Sequence, residues 1–303
     1  MFFPNTHLGS ALDFFVYDTA KIFILLAVII FAVSFIRSFL PAERVRAILS
    51  RKHTFIGNVL ASLLGIVTPF CSCSAIPLFL GFIEAGVPLG VTFSFLVASP
   101  MVNEVALVML LGLFGWSIAL IYIGSGLVIA MVSGAAIGKL KVENLVEPFV
   151  YERSISVNAD LPRLSGRERI AYARGYVTDI LKKVWLYVMV GVGVGAWIHG
   201  YVPMDFLARY AGNGAWYGVP LAVLIGIPLY SNAAGVIPLV AALTEKGVSM
   251  GTTLAFMMSV TALSLPEFMI LKKVMKPKLI LIFAGIVGLG IVLTGYLFNA
   301  ILK

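Results

Sequence analysis

Apolar residues along this chain run in blocks about twenty residues long, the length a helix needs to cross the hydrocarbon core of a bilayer. Six blocks predict spanning helices: residues 19–40, 89–113, 116–138, 183–201, 249–271 and 279–301. Two further apolar stretches, 55–83 and 216–243, are interrupted near their middles. The first reads Thr68-Pro69-Phe70-Cys71-Ser72-Cys73-Ser74-Ala75-Ile76-Pro77, and the second runs from Ile227-Pro228-Leu229-Tyr230-Ser231-Asn232 to Ile237-Pro238. Pro69 and Pro77 flank one interruption, Pro228 and Pro238 the other, and small polar residues lie between. Proline removes a helical hydrogen bond and clashes with the preceding turn, so neither stretch is expected to be one continuous helix. Unwound backbone at membrane depth is tolerated only inside protein or beside water.

Composition agrees with the blocks. Of 303 residues 60% are hydrophobic and 12% charged, half the charge of an ordinary soluble domain, and the mean hydropathy is +1.03. A soluble enzyme, a disulfide-stapled secreted module and a disordered chain are thereby excluded. The net charge of +8 reads as cytoplasmic loop charge, not as a nucleic-acid footprint. Residues 1–18 hold no Lys or Arg and no short apolar core with a cleavage site, so a secretory leader is not expected and the first block is read as a retained span.

Charge also chooses between topologies. Lys and Arg cluster at 37–52, at 139–183 and at 272–278. If both interrupted stretches cross, giving eight spans, the central cluster lies opposite the other two and the bias nearly cancels. If both turn back as re-entrant hairpins, giving six spans, 18 of the 22 positive residues share one side. The positive-inside rule favours the second arrangement, with both termini outside.

The two halves match at an offset of 161 residues. Asp18 and Lys21 fall on Asp179 and Lys182, Ile76-Pro77-Leu78 on Ile237-Pro238-Leu239, and Glu84, Gly86, Val87, Gly90 and Thr92 on Glu245, Gly247, Val248, Gly251 and Thr253. The expected fold is all-α and integral to the membrane: two inverted repeats, each of three spanning helices plus a broken re-entrant hairpin, with eight spanning helices as the alternative. Residues 1–140 form the first repeat, 141–178 a polar cytoplasmic linker and 179–303 the second repeat. Residues 42–51 have amphipathic spacing suited to the membrane surface. Inverted repeats with paired broken helices point to a transporter's binding site.

Candidate chemistry gathers at the interruptions. Cys71 and Cys73, the only cysteines, sit with Ser72 and Ser74 in the first. Thiolates suit soft ions and trivalent arsenic, although free buried cysteines are also ordinary small hydrophobes. In the second interruption Tyr230, Ser231 and Asn232 stand where Cys71, Ser72 and Cys73 stand in the first, so thiols in one half face hydroxyl and amide in the other. Glu104 and Glu267 lie within spans, where a carboxylate costs several kcal/mol and usually faces the bundle interior or water; both are candidates for proton coupling. Glu84 and Glu245 read as structural caps. His7, His53 and His199 lie near span ends, and no metal site or cofactor is expected. The glycines at 191–195 and 285–290 suit close helix packing or a homo-oligomeric contact. No phosphate-binding loop, nucleophile elbow or His-Glu-x-x-His motif occurs.

The run from Thr68 to Leu78, followed by Gly81, Glu84-Ala85-Gly86 and Pro88-Leu89-Gly90, resembles the signature of the ArsP-type predicted permeases. Ser99-Pro100, Asn103-Glu104, Tyr230-Ser231-Asn232 and Ile237-Pro238 extend the likeness over nearly the whole chain outside the linker. The resemblance implies a prokaryotic cytoplasmic-membrane permease, and for some family members export of trivalent organoarsenicals by way of thiols. With Cys71 and Cys73 alone, this chain lacks a third thiol described for some arsenical exporters. The expected function is a secondary transporter exporting a small thiophilic solute, in contact with membrane lipid and not nucleic acid. A permease for another metal-bearing or sulfur-containing solute, a thiol-dependent intramembrane redox protein and a passive channel are the alternatives.

Overall fold

In the computed structural model residues 7–37, 54–67, 72–102, 104–148, 150, 165–201, 216–229 and 233–302 are described, some by their backbone alone. Nearly all of them are helical. The helices are α1 (His7–Arg37), α2 (Thr54–Val67), α3 (Ser72–Glu84), α4 (Leu89–Met101), α5 (Glu104–Lys139), α6 (Gly166–Tyr201), α7 (Gly218–Gly226), α8 (Ala233–Glu245), α9 (Met250–Ala262), α10 (Leu265–Leu271) and α11 (Pro277–Ile301). No strand occurs among the described residues. The amphipathic segment 42–51 and much of the central linker lie outside them.

Three helical segments, two of them interrupted, are long and apolar enough to cross a membrane: Ala106–Lys139, Met250–Leu271 and Pro277–Ile301. Helices α1 and α6, with 31 and 36 residues, also exceed the roughly 20 residues a crossing needs. Exposed apolar side chains such as Trp116, Leu120, Val132, Leu281, Leu289 and Leu293 give the protein an outer surface suited to lipid. Every residue of α4 and of α9, except Met250 at its start, is buried, so these two helices form the centre of the bundle.

Two expected spans differ from their uniform hydropathy. The span 89–113 is interrupted: α4 ends at Met101, Val102 is extended (φ −123°, ψ 94°), and α5 begins at Glu104. The span 249–271 is likewise interrupted, with Leu263 at φ −132°, ψ 27° and Ser264 extended between α9 and α10. Proline supplies the reason. Pro100 in the last turn of α4 and Pro266 in the first turn of α10 have no N–H to return to the carbonyl four residues earlier, so the ladder cannot continue through them. Conversely, Pro77 and Pro238 do not bound an unwound stretch. They lie inside α3 and α8, which resume at Ser72 and Ala233.

Helix α5 contains a further departure at Gly115 (φ 80°, ψ 179°). There the chain turns back: Gly90 lies against Gly134 and Gly138, and Gly126 against Val102 and Met101, so residues approach in reverse order about Gly115. In the second half the same reversal is made by residues 272–276 between α10 and α11. Gly251 lies against Gly295 and Asn299, and Gly288 near Leu263.

The same elements recur at the offset read from the sequence. Helices α3 and α8, and α4 and α9, start and end 161 residues apart. Their connecting turns correspond as well. The N–H groups of Gly86 and Val87 bond to Ile83 and Phe82, and those of Gly247 and Val248 to Thr244 and Leu243. Gly86 and Gly247 take φ of 76° and 84°, the left-handed cap that lets the sixth residue bond back to the first. That cap is the physical content of the matched Glu-x-Gly-Val. Close contacts repeat too: Gly65 meets Phe95, Ala98 and Ser99, while Gly226 meets Phe256 and Ser259.

After α5 the chain does not leave the bundle at once. The N–H of Glu147 donates to Val274 O (2.9 Å) and that of Lys276 to Leu145 O (2.8 Å), framing an antiparallel bridge between Val146 and Met275. The Lys276 ammonium adds a bond to Asn144 O (3.1 Å). The start of the linker is thus fastened to the turn between α10 and α11. Helix α6 then begins at Gly166, within the predicted linker. Its first turn is capped at Ser165, whose N–H donates to Glu168 Oε2 at 2.7 Å, the carboxylate arm of a capping box. Bonds from the Ser165 backbone and hydroxyl hold the Glu168 carboxyl below the usual carboxylate range.

Candidate functional site

Four helix interruptions define the candidate site: between α2 and α3, α4 and α5, α7 and α8, and α9 and α10. Short range order brings them together in pairs. Gly65 near the end of α2 lies against the backbone of Ser99, just before the α4–α5 interruption. At the end of α7, Ile227 O accepts the N–H of Leu265 (2.9 Å), so this helix end is bonded into the α9–α10 interruption. Lone carbonyls and amides at helix ends need partners, and here one broken helix supplies them to another.

A tyrosine holds the first of these interruptions. Tyr122 of α5 is buried (1% exposed), and its hydroxyl donates to Met101 O at 2.8 Å. The Thr261 hydroxyl, near the end of α9, lies close to the phenol and donates to Met257 O at 3.0 Å. The phenol thus ties the last carbonyl of α4 to α5. Sequence reasoning passed over Tyr122 because an isolated tyrosine in an apolar span gives no signal; its one mark is a polar atom at mid-span.

Of the sequence-predicted site residues, Pro69, Cys71, Tyr230, Ser231 and Asn232 lie outside the described residues. Ser72, Cys73 and Ser74 are described by their backbone, which forms the first turn of α3. Counted from the helix starts, Cys71 and Asn232 are the residues preceding α3 and α8, so Asn232 corresponds to Cys71 rather than to Cys73. Glu104 is the first residue of α5, described by its backbone, and Glu267 lies in the first turn of α10. Both intramembrane carboxylates thus follow an interruption that hydropathy conceals. Pro77 is buried and Pro228 half-buried in the turn after α7; the backbone of Pro238 is helical. Glu84 and Glu245 end α3 and α8, where the sequence placed them.

Several polar side chains in the interior have no hydrogen-bond partner among the described residues: Asn58 and Ser62 on α2, Ser94 on α4, Ser264 and both carboxylate oxygens of Glu267. Asn58, Ser62 and Gly65 share the buried face of α2. An interior that leaves oxygens unmatched is costly in a purely structural core, and polar groups at membrane depth usually line a functional path.

Relatives with known names are consistent with a membrane carrier. The chain is 19% identical to the UPF0718 protein MJ0584 of Methanocaldococcus jannaschii, over 84% of this chain and 85% of that one. It is 25% identical to the UPF0718 protein YraQ of Escherichia coli, over 80% and 67%. A Streptococcus mutans protein named "Putative two-component membrane permease complex subunit" is 24% identical over 89% and 88%. No solved structure matches the chain. The family model described as "Predicted permease" matches residues 7–300, nearly the full length, so the chain belongs to the ArsP-type predicted permease family, whose members are transporters rather than enzymes.

Proposed function

We propose that this permease is a secondary transporter of the prokaryotic cytoplasmic membrane that exports a small thiophilic solute, with trivalent organoarsenicals as its substrate class. Cys71 and Cys73 bind the solute reversibly. Ser72, Ser74, Tyr230, Ser231 and Asn232 line its path, and Glu104 and Glu267 couple protons. The observation that carries the reading is the pairing of interruptions: the thiol pair opens α3, and the corresponding end of α7 is bonded to the interrupted helix of its own half. Soft thiols at a broken helix suit a soft solute.

The same proposal includes six crossings and two inverted repeats, and two contacts support it. Val219 at the start of α7 lies against Gly295, where α9 begins its crossing, whereas Gly226 at the end of α7 lies against Phe256 and Ser259. Helix α7 therefore runs beside α9 in the same direction, and α8 returns the chain to the face from which α7 started. That is a re-entrant pair. The second contact is the bridge between Val146 and Met275, which puts the linker and the 272–278 lysines on one face, as six crossings require and eight forbid. Alternating access then arises as one repeat rocks against the other. The name of the Streptococcus mutans relative brings a second subunit into this proposal as a working partner.

Methylarsenite uptake into everted membrane vesicles tests it. Uptake by the native chain that is lost in the Cys71→Ser/Cys73→Ser double variant is the expected result. Equal uptake by both removes the thiols from the mechanism; no uptake by either removes arsenicals and leaves a permease for another solute.

A further inference from the structure

The spacing Ser-x-x-Glu occurs at the start of two helices, α6 and α10, and the two behave differently. At α6 the Glu168 carboxylate accepts the Ser165 N–H in contact with solvent. Ser264 and Glu267 occupy the same positions at α10, yet no side-chain cap bond forms. Ser264 is 1% exposed and Glu267 0%, and among the described residues neither the Ser264 hydroxyl nor either carboxylate oxygen has a partner. Capping thus fails to account for this carboxylate.

Nearby donors are already committed. The Leu265 N–H goes to Ile227 O, and the Tyr122 hydroxyl to Met101 O. Charged groups do not answer it either. The elements against α10 are α3, α6 and, through Phe268 and Phe283, α11. They carry Glu84, then Arg167, Glu168, Arg169, Arg174, Asp179, Lys182, Lys183 and His199, then Lys278, while Lys272 and Lys273 follow α10 itself; among the described side chains, which leave out those of Lys183 and His199, none pairs with Glu267. What remains is a set of buried oxygens beside the C-terminal end of α9, at an interruption inside an otherwise continuous 22-residue apolar segment. Oxygen sets of this kind take hard cations, and interrupted membrane helices hold coupling ions with unwound carbonyls and helix C-termini.

We infer that the α9–α10 interruption is a binding site for one hard monovalent cation, a proton or Na⁺, held by the Glu267 carboxylate and the Ser264 hydroxyl. The inference rests on the transport reading for its role, since the ion bound there drives the exchange, but not for its existence. It divides the labour chemically: the first half offers sulfur to the solute and the second offers oxygen to the ion.

Thermal unfolding of the purified full-length protein in detergent, with no solute present, tests the site. A sodium site gives a saturable rise in Tm with NaCl at pH 8 that KCl does not reproduce. A proton site gives no sodium-specific rise but a higher Tm at pH 6 than at pH 8. Either response should vanish in Glu267→Gln. In the sodium case it should weaken about tenfold in apparent affinity in Ser264→Ala, as for loss of a supporting ligand. Either response should persist in Cys71→Ser/Cys73→Ser, so failure of arsenical transport leaves this result standing. A response equal in the native chain and Glu267→Gln, or none in the native chain, overturns the site. If Glu267→Gln does not fold, a sodium response equal in Ser264→Ala, or a pH response equal in Glu267→Asp, does the same.

Discussion

The two halves share a scaffold and differ in chemistry. Gly65 and Gly226, Gly90 and Gly251, and Gly134 and Gly295 make equivalent close contacts, so the places where helices touch are common to both. At other corresponding positions the side chains diverge. Cys71 answers to Asn232, Ala106 to Glu267, and Tyr122 to Phe283, which packs against Phe93 and Phe268. A duplicated membrane protein needs the same packing twice, because in lipid helices are held by close backbone approach rather than by expulsion of water. In the proposed reading it needs solute and ion chemistry once each, which leaves the halves free to differ there.

The sharpest way to break the comparison is to fill a shared contact. A Cβ on Gly251 meets backbone atoms of Gly295 and Asn299, the latter at 2.6 Å, whereas none lies within 4 Å of one on Gly124. Gly251→Val should cost about 3 kcal/mol or more and abolish the monodisperse peak on size exclusion, as should Gly90→Val. Gly124→Val should elute and unfold like the native protein. Equal behaviour of Gly251→Val and Gly124→Val would mean that the shared contacts do not hold the halves together.

A smaller effect sharpens it. Tyr122→Phe makes the first half resemble the second and leaves the Met101 carbonyl unpaired. The expected loss is about 1–3 kcal/mol, read as a lower Tm, and no change would show the phenol to be incidental. Smaller again is the consequence of the bridge between linker and turn. Val146 and Met275 form a pair without direct mutual hydrogen bonds, for which Cα atoms are about 4.5 Å apart, within disulfide range. The double variant Val146→Cys/Met275→Cys should cross-link on mild oxidation and leave Tm nearly unchanged, and a free-thiol count that stays at four rather than falling by two would contradict the pairing. The smallest effect concerns the bond between Glu168 and Ser165. The Glu168 carboxyl titrates below its usual range, so its contribution is present at neutral pH and is lost as pH falls through the lowered value. Amide protection at Ser165 should fall over that acid range in the native protein and be low throughout in Glu168→Gln.

Much of this architecture is legible in the sequence, and the illegible part has a physical cause. The offset of 161 can be read because glycine caps such as Gly86 and Gly247 need a residue without Cβ, leaving a mark that drift between apolar residues does not erase. The interruptions near Cys71 and Asn232 show because polar residues stand in them. Those after Met101 and Ala262 do not, since each holds a single polar residue, Asn103 or Ser264, between apolar helices that together are long enough to read as one span. Proline alone misleads as well: Pro77 sits within α3, where one missing N–H bond is tolerated by a helix packed on all sides. At the site, the carboxylates are visible from the chain, but whether a Ser-x-x-Glu spacing closes on itself depends on burial, and only tertiary structure distinguishes Glu168 from Glu267.

The bond between the linker's start and the 272–276 turn also bears on whether the chain must be continuous. Residues 144–147 reach the other half before the polar stretch that follows Val150, so the peptide bonds of that stretch are not what keeps the halves registered. Cut in that stretch, the two halves should stay associated and co-elute on size exclusion, held by this clasp together with the helix contacts between them.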